Sequence, residues 1–403
     1  MMRYPKTLLF AILVLAMQAC LLTGQGGNES GQGQAEVATP SPESPTPVVQ
    51  PTESALPEPP PPPPGVPEGY VAGAICFPSE GIPPLEIFFE ETGTGQAFVL
   101  HTHQNQFLYN VRLPPGSYMA FTEGGSYSPA VPCGLTVDCS DHAPIVFSVV
   151  DGQLTSGVDI CDWYGPAEDL PSVPSDPRPI RSGESILLMS PGPGSRIVSP
   201  LQLSGFADPT FEQNLVVRIL LADGTEIALA PTIIQADIGQ RGAFSIELPF
   251  SVSGEQQGFI QSYTTSPRDG GVTHLSSVGV RLAETGAIDM RPGGFRPEQI
   301  VVTSYPTGFP GAFSLGGLVH IEGFGLASFE ATLVVEIYDE NGVLVGSAPT
   351  LVAAPDIGQP GPFSIDVPIS ISAAGPGRIV VRDISPAHGD DSHRTSTEFW
   401  LEP

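Results

Sequence analysis

Ala243-Phe244-Ser245-Ile246-Glu247-Leu248 alternates apolar and polar side chains with a period of two. An extended strand puts Phe244, Ile246 and Leu248 on one face and Ser245 and Glu247 on the other; a helix does neither. Part of the stretch returns 119 residues later as Phe363-Ser364-Ile365. Asp237-Ile238-Gly239-Gln240 returns at the same spacing as 356–359, and Ser266-Pro267 as Ser385-Pro386. Upstream the offset is 118: Phe211-Glu212 recurs as Phe329-Glu330, and Ala230-Pro231-Thr232 as Ala348-Pro349-Thr350. One inserted residue accounts for the step. The C-terminal half therefore holds two copies of one domain, 184–283 and 298–403. Residues 284–297, with Pro292, Gly293, Gly294 and Pro297, read as the joint.

Each copy reads as strands. Val216 to Leu221 and Thr225 to Leu229 flank Asp223-Gly224, and Leu333 to Tyr338 and Val343 to Val345 flank Asn341-Gly342. Such dipeptides between apolar runs signal hairpins whose two turn residues take positive φ. The expected fold is an antiparallel sandwich of immunoglobulin type. The first copy orders its features as Ser190-Pro191, Pro193 to Ser195, Ser204 to Ala207, Phe211-Glu212, Gly239 to Phe244, and Ser266-Pro267 before Asp269-Gly270. That order resembles the immunoglobulin-like domain of bacterial spore germination proteins. The second copy departs at Ser304-Tyr305-Pro306, at Gly323-Phe324-Gly325, and at Ala387-His388-Gly389. The resemblance implies an extracytoplasmic module that binds a ligand or partner, with no established chemistry.

Residues 69–165 form an earlier unit. Seven short runs separated by turn residues, at 70–76, 85–90, 97–103, 107–112, 118–123, 145–150 and 158–164, predict a small β-sandwich. Leu113-Pro114-Pro115-Gly116-Ser117-Tyr118 sets a tight turn before a strand opening on an aromatic residue. With Gly73 and the Gly81-Ile82-Pro83 turn, it resembles the carboxypeptidase regulatory-like, prealbumin-type sandwich, which implies a spacer or binding module. The half from Cys133 to Cys161 departs from that pattern. The expected class is all-β: three β-sandwich domains in series, one prealbumin-like and two immunoglobulin-like, after a disordered Pro-rich stalk.

The start of the chain carries localisation. Arg3 and Lys6 precede the apolar run Leu8 to Ala19, which ends on Cys20. This is the layout of a secretory signal. At ~20 Å as a helix, the run is short for a ~30 Å hydrocarbon core. A small residue before Cys20 resembles the lipobox of bacterial lipoproteins. That resemblance implies cleavage after residue 19, acylation of Cys20, and anchoring to the extracytoplasmic side of a bacterial membrane. Residues 20–68 follow, with six prolines at 59–64. They lack the apolar residues to build a core, and their Pro-rich part favours an extended stalk of roughly 100 Å. Residues 166–183, with Pro166, Pro171, Pro174, Pro177 and Pro179, read as a second linker.

Five cysteines remain to be placed. With Cys20 lipidated, Cys76, Cys133, Cys139 and Cys161 form an even set in an exported protein, which predicts two disulfides. Three pairings are open; the expected one joins Cys76 to Cys161 and Cys133 to Cys139. A zinc site is the alternative, but the spacings fit no metal-ligand pattern well.

Charge and composition exclude several functions. The chain of 403 residues carries 43 acidic and 15 basic residues, a net charge of −28. Such a surface repels nucleic acid. Lys6 is the only lysine, so a processed chain has none for a Schiff base or a phosphate loop. No Gly-x-Ser-x-Gly elbow occurs. His101 and His103 fall on one face of a predicted strand, with His142 in the same domain; together they are weak candidates for a metal site. Glu90, Glu91, Asp138, Asp141, Asp159 and Asp162 read as solvated surface rather than as a carboxylate pair for glycoside chemistry. The repeated Asp-Ile-Gly-Gln reads as a loop with Gly at positive φ and Ile packed on the sandwich edge. Trp163 is expected beside a disulfide. The expected function is a non-enzymatic binding or adhesion protein with no cofactor, attached to the membrane through lipid on Cys20 and facing a protein, glycan or cell-wall partner. The alternatives are a metal-dependent hydrolase built on the first sandwich and a passive spacer.

Overall fold

A computed structural model describes residues 68–79, 81–127, 144–164, 171–304, 317–327, 330–356 and 358–403. The leader, Cys20, the stalk, Cys133, Cys139 and His142 lie outside the described residues. The described residues all belong to one compact unit, Pro62–Pro403.

Ten strands build the first sandwich: β1 Gly69–Ala74, β2 Glu86–Glu91, β3 Ala97–His101, β4 Leu108–Leu113, β5 Gly116–Thr122, β6 Gly125–Tyr127, β7 Phe147–Val149, β8 Leu154–Thr155, β9 Ile160–Asp162 and β10 Arg178–Ile180. One sheet runs β4-β1-β8; the other runs β10-β3-β2-β5-β6-β9, with β7 added on β5. Val71, Phe89, Tyr109, Val111, Tyr118 and Ile160 meet between them. Tyr118 earns its place in the Pro-Pro-Gly turn: its hydroxyl donates to the Pro114 carbonyl at 3.0 Å, tying the turn to the strand it opens. Cys76 and Cys161 are joined by a disulfide, S–S 2.03 Å. The Trp163 indole donates to the Cys76 carbonyl and meets Phe77 edge-on, so this tryptophan packs at the disulfide as expected. The segment read as a linker does more than connect. Its β10 pairs in parallel with β3 at the sheet edge, where Pro179 need not donate on the open side.

The first repeat contains β11 Ile186–Ser190, β12 Arg196–Val198, β13 Leu201–Ala207, β14 Asn214–Leu221, β15 Glu226–Ile233, β16 Gly242–Leu248, β17 Glu255–Thr265 and β18 Val272–Ala283. The second contains β19 Ile300–Val302, β20 Leu318–Gly325, β21 Thr332–Tyr338, β22 Leu344–Leu351, β23 Gly361–Pro368, β24 Gly375–Ile384 and β25 Asp391–Leu401. Three-stranded sheets β11-β13-β16 and β19-β20-β23 are equivalent. They cover cores built on Leu203, Val217, Phe244 and Val280 in one copy and on Ile321, Val335, Phe363 and Val381 in the other. Both copies keep the same unusual backbone: Glu212 and Gln213 take φ of 54° and 58°, and Glu330 and Ala331 take 50° and 54°.

Two local expectations change. In the hairpins only Gly224 and Gly342 take positive φ; Asp223 and Asn341 do not. Each β14–β15 and β21–β22 hairpin carries a register shift beside the turn, so the turn is followed by a bulge at glycine rather than being a two-residue mirror-image turn. Ile238 is 89% exposed and does not pack on the sandwich edge. The loop is held instead by Gln213, whose amide donates to the Asp237 carbonyl at 2.9 Å and the Gln240 carbonyl at 3.1 Å.

The larger sheets of the repeats are not separate. β18 pairs antiparallel with β25, so a single nine-stranded sheet runs β15-β14-β17-β18-β25-β24-β21-β22, with β12 on β18. Leu275 sits opposite Arg394, and these two residues are equivalent positions at the 119-residue offset. Antiparallel pairing of equivalent strands at equivalent residues places a local pseudo-two-fold axis between them. The joint 284–297 runs along this assembly, with Asp289 bridged to Arg196 and Pro297 to Gly183.

Candidate functional site

Along β18 the core-facing residues include Val278, Val280 and Leu282, so alternation puts His274 and Ser276 on that inner face. Along β25 it does the same for His393, which shares its parity with Leu401. Near the pseudo-two-fold axis these inner faces meet the start of the opposite sheets. Glu184 stands two residues before β11, and Glu298 two residues before β19, in the matching segments Glu184-Ser185-Ile186 and Glu298-Gln299-Ile300. One Glu and one His from each repeat therefore converge. A donor atom from each of the four lies within 4.8 Å of the other three.

The cluster is buried: Glu184 is 0% and His393 1% exposed. His393 bridges the carboxylates, with Nε2 2.9 Å from Glu298 Oε1 and Nδ1 3.6 Å from Glu184 Oε2. The imidazoles stand edge to face with centroids 5.2 Å apart. Ser276 donates to Glu184 Oε2 at 3.0 Å, and the Ser185 N–H donates to Glu298 Oε2 at 2.9 Å. Glu184 Oε1 and His274 Nε2 are buried with no hydrogen-bond partner.

Burial raises the Glu184 carboxyl, against the opposing pull of His393. Burial also works against charge on Glu298, but the field of His274 and the hydrogen bond and field of His393 outweigh it, and its carboxyl is held below the usual range. His274 is pushed down to about 4 by burial. His393 meets the same burial, yet the charge of Glu184 and its bond to Glu298 hold it above the ordinary imidazole value. The directions thus diverge within each kind: Glu184 is raised and Glu298 lowered, and His274 is lowered and His393 raised. Two arginines face it. Arg241 is engaged by Asp208, whereas the field of Arg296 acts on both Glu184 and His393.

Beside the cluster, a cleft of about 390 Å³ opens where the three sandwiches meet. Asn110 of the first sandwich, Ser182 of the linker, Thr264 and Thr273 of the first repeat, and Thr397 of the second line it, with His274 and Glu298 in its wall. The first sandwich is fixed there by reciprocal bonds between Asn110 and Gly183, 2.9 and 3.0 Å long, and by Tyr70 against Phe206.

The residues singled out in the sequence lie elsewhere. His101 ends β3 on the surface, 3.3 Å from Glu86. His103 falls beyond the strand, with Nδ1 3.0 Å from the Gln104 carbonyl, and lines the cleft. Among the described residues, neither belongs to a group of three or more metal-ligand side chains. Glu184, His274, Glu298 and His393 were not singled out, although the two histidines share the 119-residue offset of the repeat.

Residues 185–271 match the family described as the immunoglobulin-like domain of bacterial spore germination. No curated protein matches the chain. Among solved structures, the chain is similar to dimeric latent PorU from Porphyromonas gingivalis, at 12% identity and a TM-score of 0.21, over 83% of this chain and 29% of that one. It is also similar to bovine butyrophilin, at 10% identity and a TM-score of 0.17, over 54% of this chain and 99% of that one.

Proposed function

We propose that this chain is a non-enzymatic extracytoplasmic binding protein of the bacterial envelope, held to the membrane by acylated Cys20 and presenting its β-sandwiches to a protein, glycan or cell-wall partner. The matched immunoglobulin-like segment fits a binding or structural role. The observation that carries the reading is the cleft at the meeting of the three sandwiches. Its hydroxyl and amide lining offers donors and acceptors on a rigid frame, as polar ligands require. The Pro-rich stalk gives the sandwiches reach beyond the lipid surface.

Equilibrium binding of the full chain to intact cell-wall glycan, and separately to envelope proteins, tests it. Saturable binding to one of them, weakened at least tenfold by Thr397→Trp in the cleft, is expected. Binding to neither would leave the passive spacer as the better account. The anchor is tested by labelling cells with a radioactive fatty acid: the wild-type chain takes up label, and Cys20→Ala does not.

A further inference from the structure

We propose that Glu184, His274, Glu298 and His393 bind one divalent transition-metal cation, zinc by the character of the donors, and that the ion braces the two repeats together. Two imidazoles and two carboxylates form an N2O2 set suited to zinc, and each repeat supplies one of each kind. The inference does not rest on the binding function proposed above. All four residues also fall outside the matched segment 185–271.

The unpaired atoms carry the argument. Buried polar groups in folded proteins are almost always hydrogen-bonded, and leaving one unpaired is costly. Here two of them, Glu184 Oε1 and His274 Nε2, belong to the same small cluster. Both are metal-ligand atoms, and the other oxygen of Glu184 is already fixed by Ser276. A cation among the four side chains satisfies both at once.

Geometry and charge agree. Tetrahedral zinc sets its donors about 3.3 Å apart, so a cluster spanning 4.8 Å closes on the ion with side-chain shifts of about an ångström. His393 faces a carboxylate through each ring nitrogen, 2.9 Å from Glu298 and 3.6 Å from Glu184, so its imidazole already stands between two of the other donors. Two carboxylates balance a doubly charged ion. Arg296 also faces the cluster, acting on Glu184 and His393, and its Nε is buried without a hydrogen-bond partner. The cleft supplies the entry path, since His274 and Glu298 form part of its wall.

The test uses the full chain, stripped with a chelator and then titrated with zinc ions alone. Elemental analysis should find one zinc per chain, and zinc should raise the unfolding temperature reversibly on chelation. His274→Ala and His393→Ala should each weaken zinc binding by more than ~100-fold, beyond the loss expected for an outer-shell partner. The variant His101→Ala, on the surface away from the cleft, should keep the stoichiometry. If either cluster variant fails to fold, the wild-type chain loaded with cobalt decides: tetrahedral visible bands support the site, and a purely octahedral spectrum overturns it. A stripped wild-type chain that takes up no stoichiometric zinc overturns the proposal. So does zinc binding that survives in folded His274→Ala and His393→Ala, or that disappears in His101→Ala.

Discussion

Asp269 and Arg378 show how much one residue contributes to holding the repeats together. One guanidinium nitrogen of Arg378 donates to both Asp269 oxygens, at 2.6 and 2.7 Å, and Arg378 is only 2% exposed. Arg378 Nε also donates to Glu398 at 2.9 Å, so Asp269→Ala leaves the guanidinium only partly paired and should cost about 2 kcal/mol, read as a shift in denaturant midpoint. Burial works against charge on Asp269, but the hydrogen bonds from Arg378 and the Gly271 N–H outweigh it, and its carboxyl sits below its ordinary value. The folded value is thus lower than the unfolded one. The stabilisation is present above the unfolded carboxylate range near pH ~4 and is lost as pH falls through the folded value. The gap between wild type and Asp269→Asn should accordingly be full at neutral pH and close on acidification. A gap independent of pH would contradict the assignment. Little of this was legible in the sequence. The offset of 119 relates His274 to His393, but periodicity cannot say that equivalent histidines from two copies come face to face. That depends on which sheet edges pair.

Strands were the most legible level, because alternation and turn residues act locally. The face carrying Phe244 and Leu248 is buried as read, and Cys76 joins Cys161. What local pattern could not supply was β10 on the first sandwich and the bulged form of the hairpins. Close approaches between strands are also hidden in sequence. A methyl on Gly205 would meet the Leu187 carbonyl at 2.3 Å and the Phe244 ring at 2.8 Å; one on Gly323 would meet the Val301 carbonyl at 2.3 Å and the Phe363 ring at 2.5 Å. Backbone cannot yield as a flexible side chain does. Gly205→Ala and Gly323→Ala should each destabilise by roughly 1–3 kcal/mol or more, to similar extents, as calorimetry will show. In the first sandwich, Cys76→Ser/Cys161→Ser should cost about 2–5 kcal/mol by releasing a long loop in the unfolded chain. An unchanged melting temperature in the double variant would show that the bridge does not restrain folding.

At the scale of the molecule, three sandwiches stand in series as read, and one antiparallel pair, Leu275 with Arg394, links the larger sheets of the two repeats. The β18–β25 seam has no signal in composition, since any edge strand offers the same row of backbone donors and acceptors. Its thermal consequence is specific: the two repeats should unfold in one calorimetric transition, and a cut within 284–297 should leave them associated. Two resolved transitions assigned to 184–283 and 298–403 would contradict the continuous sheet. The pseudo-two-fold axis has a further effect. Phe259 meets the His388 ring at 4.7 Å, and the equivalent contact across the axis is Arg378 with Asp269. Were a first repeat to pair with another first repeat, Phe259 would confront a carboxylate; two second repeats would set Arg378 against His388. Each half thus recognises only its unlike sibling. Like repeats are thereby disfavoured as partners, and the seam selects one first repeat for one second repeat.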